Sequence, residues 1–226
     1  MTVLLVLCTL VIFLIADYAV QKAREARAAA EVKSWDAERI PFALPEGITL
    51  APNHLWLKVE KGVATIGLDG FLGRMLGTVE SVMLPDAGAT VTPVTANIAL
   101  CDGDRSVQLA SPVIGQILEV NPGVLKDPAL ARRDPYGAGW LMKVRTDRRS
   151  PSTARMRSGS AAAAWLREQT ELAKEFLAGV MPAPQLATLQ DGGIPAEGVL
   201  QQCDARTWKK FEQRFAVLER PDRPTT

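Results

Sequence analysis

From Ile48 to Val144 short apolar runs alternate with turn residues, and this rhythm restricts what the chain can fold into. The runs "LWLKVE", "GVATIGL", "TVESVML", "ANIAL", "SVQLA", "VIGQILEV" and "WLMKVR" are strand-like in length and in β-branched content. Between them lie "EKG", "PDAG", "CDGD", "NPG" and "DPYGAG", each rich in Gly, Pro, Asp or Asn. The pattern predicts a mainly β domain over residues 48–145, a small sandwich or barrel. Its sharpest local signal is Asp102-Gly103, a pair suited to the type I′ turn of a two-residue hairpin. That turn sets Cys101 opposite Asp104, Leu100 opposite Arg105 and Ile98 opposite Val107. Ile98, Leu100, Val107 and Leu109 then share an apolar face, while Ala99, Cys101, Asp104, Ser106 and Gln108 share the other.

The flanks read differently. "MTVLLVLCTLVIFLIADYAV" is apolar from Thr2 to Ala16, with Asp17 its only charge before Lys22. As a helix, Thr2 to Val20 covers about 28 Å, close to the hydrocarbon core of a bilayer. A cleaved signal peptide wants a basic n-region and a small-x-small site, and neither is present. Residues 1–21 are therefore expected to form a single transmembrane helix. Lys22, Arg24, Arg27 and Lys33 follow it and no Lys or Arg precedes it, which places the rest of the chain in the cytoplasm. Residues 22–47 read as a helical, Pro-terminated linker.

Residues 146–159 read as a second linker, within a basic, Ser-rich stretch (Lys143 to Ser160) that could also meet anionic headgroups. From 160 to 220 two helices are expected, packing on the β domain or extending it. Ser160 is read as the cap of the first and Gly179 as its end, with Trp165, Leu172, Phe176 and Val180 on one stripe and Ala173 and Leu177 beside it. The second starts at Asp204 and carries Trp208, Phe211, Phe215 and Leu218, a stripe that can pack in cis or dock a partner.

Composition narrows the chemistry. A net charge of +1 gives no reason to expect a nucleic-acid surface. Cys8, Cys101 and Cys203 are far apart and form no CxxC pair, and His54 is the sole histidine. A disulfide framework, a metal site and a His-based triad are all disfavoured. No nucleophile–base constellation or phosphate loop is present, so no catalytic residue is expected.

Four stretches carry a resemblance. "NHLWLKVEKGVATIGLDGFLGRMLG" (Asn53 to Gly77), "VMLPDAG" (Val82 to Gly88), "SPVIGQILEVN" (Ser111 to Asn121) and "DPYGAGWLMKV" (Asp134 to Val144) occur in the order of the glycine cleavage system H protein family. The chain resembles that family, with "VELPEVG" and "SPVSGEVVEVN" as the family counterparts of the middle two. The resemblance implies a hybrid-barrel, biotinyl/lipoyl-carrier fold. It also implies a lipoate attached to the lysine of "ESVK" on a hairpin between the "LP..G" and "SP..G" motifs. The spacing from Gly88 to Ser111 equals that of a typical family sequence, and counting without a gap puts Cys101, Asp102, Gly103 and Asp104 under "ESVK". Asp104 thus occupies the lipoyl-lysine position. No lysine occurs between Lys61 and Lys126.

The expectation from these readings is a membrane-anchored, non-lipoylated H-protein-like subunit without a cofactor or an activity of its own. It would act as a binding or scaffold module for a protein partner, with a membrane-associated redox complex among the candidates. Two alternatives remain open: a group carrier using Cys101 as an unusual attachment point, and a component of the glycine cleavage system itself. His54 and Trp56 match family positions, but a packed, hydrogen-bonding histidine is the simpler role; Arg132-Arg133-Asp134 reads as a solvated loop edge.

Overall fold

A computed structural model describes residues 44–146, 155–181 and 194–218. The expected transmembrane segment and most of the first linker lie outside these residues. Among the described residues no helix is long and apolar enough to cross a membrane.

The expected strands are present. They are β1 (Thr49–Leu50), β2 (Leu55–Glu60), β3 (Val63–Leu68), β4 (Ser81–Met83), β5 (Thr90–Val91), β6 (Ala96–Asp102), β7 (Arg105–Ala110), β8 (Gly115–Val120), β9 (Trp140–Thr146) and β10 (Arg157–Ser158). They build a seven-stranded sheet in the order β10-β1-β2-β3-β9-β8-β5 and a three-stranded sheet β4-β6-β7. Period-two alternation sends Ala64, Ile66 and Leu68 of β3 and Ile98 and Leu100 of β6 into the core, where Val107, Leu109, Leu141 and Val144 join them. β10 falls within the stretch read as a linker; it pairs with β1 and closes that edge of the sheet.

Among the described residues the α-helices are α1 (Gly70–Leu76), α2 (Pro122–Lys126), α3 (Leu130–Arg133), α4 (Gly159–Val180) and α5 (Ala205–Phe215), with a 3-10 turn at Val199–Gln202. α4 starts one residue before Ser160, and its N-cap is Ser158, whose side chain makes no capping bond. Gly179 lies inside it, because the helix runs on to Val180 and its capping bond comes one residue later, from Met181 N to Leu177 O. Of the expected stripe Trp165 and Phe176 are buried, as are Ala173 and Leu177 beside it and Ala162 and Leu166, whereas Leu172 and Val180 are only half-buried. α5 begins as expected, with the Asp204 side chain accepting from Thr207 N. Its stripe packs in cis. Phe211 and Phe215 meet Phe176 of α4 at 6.0 and 5.9 Å between ring centroids, and Phe215 meets Phe71 of α1 at 6.1 Å. Each such buried ring contributes about 1.5–3 kcal/mol of transfer free energy, which explains how so short a helix is held.

The hairpin register departs from expectation. Asp102 pairs with Arg105, Cys101 with Ser106, Leu100 with Val107 and Ile98 with Leu109, so the turn residues are Gly103 and Asp104. Gly103 has φ +61° and Asp104 does not have a positive φ, the pattern of a type II′ turn with Gly at its first central position. The I′ turn read from Asp102-Gly103 would have put the left-handed strain on Asp102. Here Asp102 stays extended and reaches Arg105 across the hairpin. From Ile98 to Cys101 each cross-strand partner moves by two residues, so the two faces keep their membership and the apolar set stays buried.

Candidate functional site

The tip of the β6–β7 hairpin is held from both faces. On one side Glu80 N donates to Cys101 O at 2.9 Å, and the Glu80 side chain accepts from Gly103 N at 2.9 Å. On the other, the Arg105 guanidinium donates through Nη1 to the carbonyls of Gln201 (3.0 Å) and Cys203 (3.2 Å), and through Nη2 to Asp102 at 3.4 Å. It also lies 5.2 Å from the Trp208 ring centroid. Gly103 and Asp104 are exposed between these two ties. The tip therefore presents the Asp104 carboxylate on a fixed support. A carboxylate there can attract cations or accept hydrogen bonds; it has no nucleophilic amine.

Cys101 does not face Asp104. Its cross-strand neighbours are Ser106 and Ser81, and its thiol is free and half-buried. Cys203 is also free, with Sγ 3.7 Å from Val199 O. Burial pushes the Cys203 thiol up, the neighbouring Asp204 adds to that, and Arg105 opposes it. For Cys203 the balance favours the neutral thiol over the thiolate.

The second polar cluster is internal. His54 and Asp69 are fully buried, and His54 Nδ1 lies 2.7 Å from Asp69 Oδ2. The other carboxylate oxygen of Asp69 caps α1 by accepting from Leu72 N at 2.8 Å. The imidazole is stacked between Phe71 (4.4 Å) and Trp165 (4.7 Å), and its Nε2 has no hydrogen-bond partner. His54 has φ +62°, a left-handed conformation the surrounding contacts must maintain. Alongside, Tyr136 accepts from Gly70 N at 3.1 Å, and burial together with the Asp69 charge raises its phenol far above the ordinary range. Trp56 donates to Pro135 O at 2.9 Å and its ring covers Gly67, where a Cβ would come within 2.5 Å of it. His54 and Trp56 are thus structural: they join β2, α1 and the 135–139 loop.

Arg132 and Arg133 end α3 rather than lying in a loop, and Arg133 and Asp134 are solvent-exposed as expected. Arg132 bonds Glu197, Arg133 pairs with Asp127 at 2.8 Å, and Asp134 accepts from Ala138 N at 2.7 Å. Sequence reading also missed the Arg105 clamp, whose partners lie about a hundred positions away, and Glu80, whose bond to Gly103 N depends on strand pairing. Among the described residues no group of three or more His, Cys, Asp or Glu side chains is arranged to hold a metal ion.

The family model for the glycine cleavage H-protein matches residues 49–169. That span covers β1 through the first half of α4, including the hairpin and the His54 cluster. The chain belongs to the glycine cleavage H-protein family. Among similar proteins is the glycine cleavage system H protein of Thermobifida fusca, 36% identical over 46% of this chain and 82% of that protein. The H protein of Beutenbergia cavernae is 38% identical over 46% of this chain and 83% of that one. The mitochondrial H protein of Flaveria trinervia is 38% identical over 46% of this chain and 62% of its own length. A solved structure, the H protein of Mycobacterium marinum, aligns with a TM-score of 0.49 at 27% identity, covering 55% of this chain and 99% of that one. The 194–218 segment lies beyond the family match, yet it is seated on the family domain: Gly198 N donates to Arg74 O at 2.8 Å and Arg74 Nε donates to Pro195 O at 3.0 Å.

Proposed function

We propose that this H-protein-family chain is a membrane-anchored, non-lipoylated binding or scaffold module rather than a lipoyl carrier. The observation that carries the reading is the hairpin tip. It presents Asp104 at the position where the family resemblance expects the modified lysine, and no lysine lies between Lys61 and Lys126. Lipoate attachment joins the carboxyl group of lipoic acid to an ε-amine. A carboxylate offers no amine, so the residues at this tip do not fit the group, and with it goes the carrier's reactive part. What remains is a rigid carboxylate-bearing tip on a family domain, which suits recognition by a protein partner. The apolar run Thr2 to Ala16 would hold the module at a membrane, with the domain on the cytoplasmic side.

The test is in vitro lipoylation of the full chain by a lipoate ligase with ATP and lipoate, read by intact mass. The wild-type protein is expected to gain no mass, and Asp104→Lys to gain one lipoyl group because it puts an ε-amine on the exposed tip. A lipoyl adduct on the wild-type chain contradicts the reading.

Family membership supports a second reading, a component of the glycine cleavage system as the relatives' names state. Reconstitution with the other subunits decides between the two: turnover with the wild-type chain favours the second, and its absence the first.

A further inference from the structure

We propose that the outward face of α5 is a docking surface for an acidic segment of a protein partner. The inference rests on the binding-module reading above and adds to it the chemistry of the partner.

α5 separates its residues by chemistry. Trp208, Phe211 and Phe215 are buried against the domain, and Glu212 is buried with them. Arg206, Lys209, Lys210, Gln213 and Arg214 are exposed. Arg206, Lys210 and Arg214 stand four residues apart in turn, so they line one side of the helix in a row about 12 Å long.

The acids of this element are committed elsewhere. Glu212 pairs with Lys209 at 2.9 Å, and Asp204 caps the helix, where its side chain accepts from Thr207 N at 2.8 Å. Among the described residues no carboxylate lies within ion-pair distance of Arg206, Lys210 or Arg214. α4 gives the contrast. Its surface charges, Arg167, Glu168, Glu171, Lys174 and Glu175, mix the two signs, and Lys174 pairs with Glu171 at 2.7 Å. That is the arrangement of a solvated face.

The fold does not account for the row on α5. Cations four residues apart on a helix repel each other. Arg206 also lies in the first turn, where the helix dipole favours an anion. Carboxylates brought to this face from outside relieve both effects.

The occupant is a protein because α5 offers nothing to hold a base or a bilayer. Its three aromatic side chains are buried, so none is left for a base to stack on, and it exposes no large apolar side chain to enter lipid. Asp and Glu side chains at helical spacing match cations about 6 Å apart. The position agrees with a partner site. α5 lies beyond residues 49–169, which the family match covers, and its N-terminal end adjoins the hairpin, where Arg105 donates to Cys203 O. A partner seated on α5 is thereby brought close to the exposed Asp104 tip.

The experiment places the photo-crosslinking residue p-benzoylphenylalanine at the exposed Gln213 of α5 and, in a second protein, at the exposed Gln108 of the hairpin. The full chain is expressed in its native source, and the joined segments are sequenced by mass spectrometry. The probe at Gln213 is expected to join a protein segment with Asp or Glu at three- or four-residue spacing. In an Arg206→Gln, Lys210→Gln variant the yield is expected to fall about tenfold. Arg214 is kept because it also lies 5.7 Å from the Phe215 ring centroid. The urea midpoint of the variant is expected to be no lower than that of the wild type. An unchanged yield, a segment without such carboxylates, or a cross-link to lipid or nucleic acid overturns the proposal. A lowered midpoint assigns the row to the fold and also overturns it. Cross-links from Gln108 but none from Gln213 sink this inference and leave the binding-module reading standing. None from either position sinks both.

Discussion

His54 and Asp104 are polar residues placed by turns of the same β domain, and the fold treats them in opposite ways. His54 is fully buried, hydrogen-bonded to Asp69, stacked between two rings and held at a positive φ. Asp104 is exposed at a hairpin tip whose neighbours, not itself, make the anchoring bonds. A buried polar group without its partner costs the fold, so the internal cluster constrains residue identity through stability. At the tip the fold is indifferent, and identity decides only chemistry. Under the reading proposed above, that difference lets the chain keep the family's architecture with Asp104 at the position where the resemblance expects the lipoyl lysine.

The largest expected effect breaks the internal cluster. Asp69→Ala or His54→Ala should cost about 3–5 kcal/mol, as for a buried pair that loses one partner, read by urea denaturation of the full chain in detergent. A loss under about 1 kcal/mol would erase the contrast between the two regions.

Alkaline titration sharpens it. Tyr136 has a phenol pKa raised in the folded state by burial and the Asp69 charge, so folding favours its neutral form. Its contribution is fully present below the ordinary tyrosine value near about 10 and is lost as pH rises from there towards the folded pKa. Stability should fall over that window in the wild type and less so in Tyr136→Phe.

A smaller effect comes from Arg105→Ala, which frees two carbonyls and leaves Asp102, 8% exposed, without its cation. About 1–3 kcal/mol is expected, with faster hydrogen exchange at the tip; unchanged exchange would show that the extension does not immobilise the hairpin.

The smallest is Asp104→Asn, expected to lie within about 0.5 kcal/mol of wild type. A larger loss would mean that the tip residue serves the fold after all.

Legibility in the sequence followed the same division. Strands were visible because turn residues punctuate them and β-branched residues fill them. The hairpin faces were legible even though the turn was misplaced, since a shift of cross-strand partners by two residues preserves parity. α1 was missed because "DGFLGRMLG" contains glycines that read as loop; its signal was Asp69 followed by apolar residues at Phe71, Leu72, Met75 and Leu76. α2 was likewise hidden in "NPG", where Asn121 caps and Pro122 opens a helix. The Arg105 clamp and the His54–Asp69 pair were beyond reach, because tertiary packing alone brings their partners together.

The central claim is that the tip carries no group. It is tested most directly by the intact mass of the protein from its native source, with peptide mapping from Gly88 to Lys126. The account predicts the mass of the unmodified chain across that stretch. A covalent adduct there, on Cys101 or elsewhere, would contradict it and restore a carrier role.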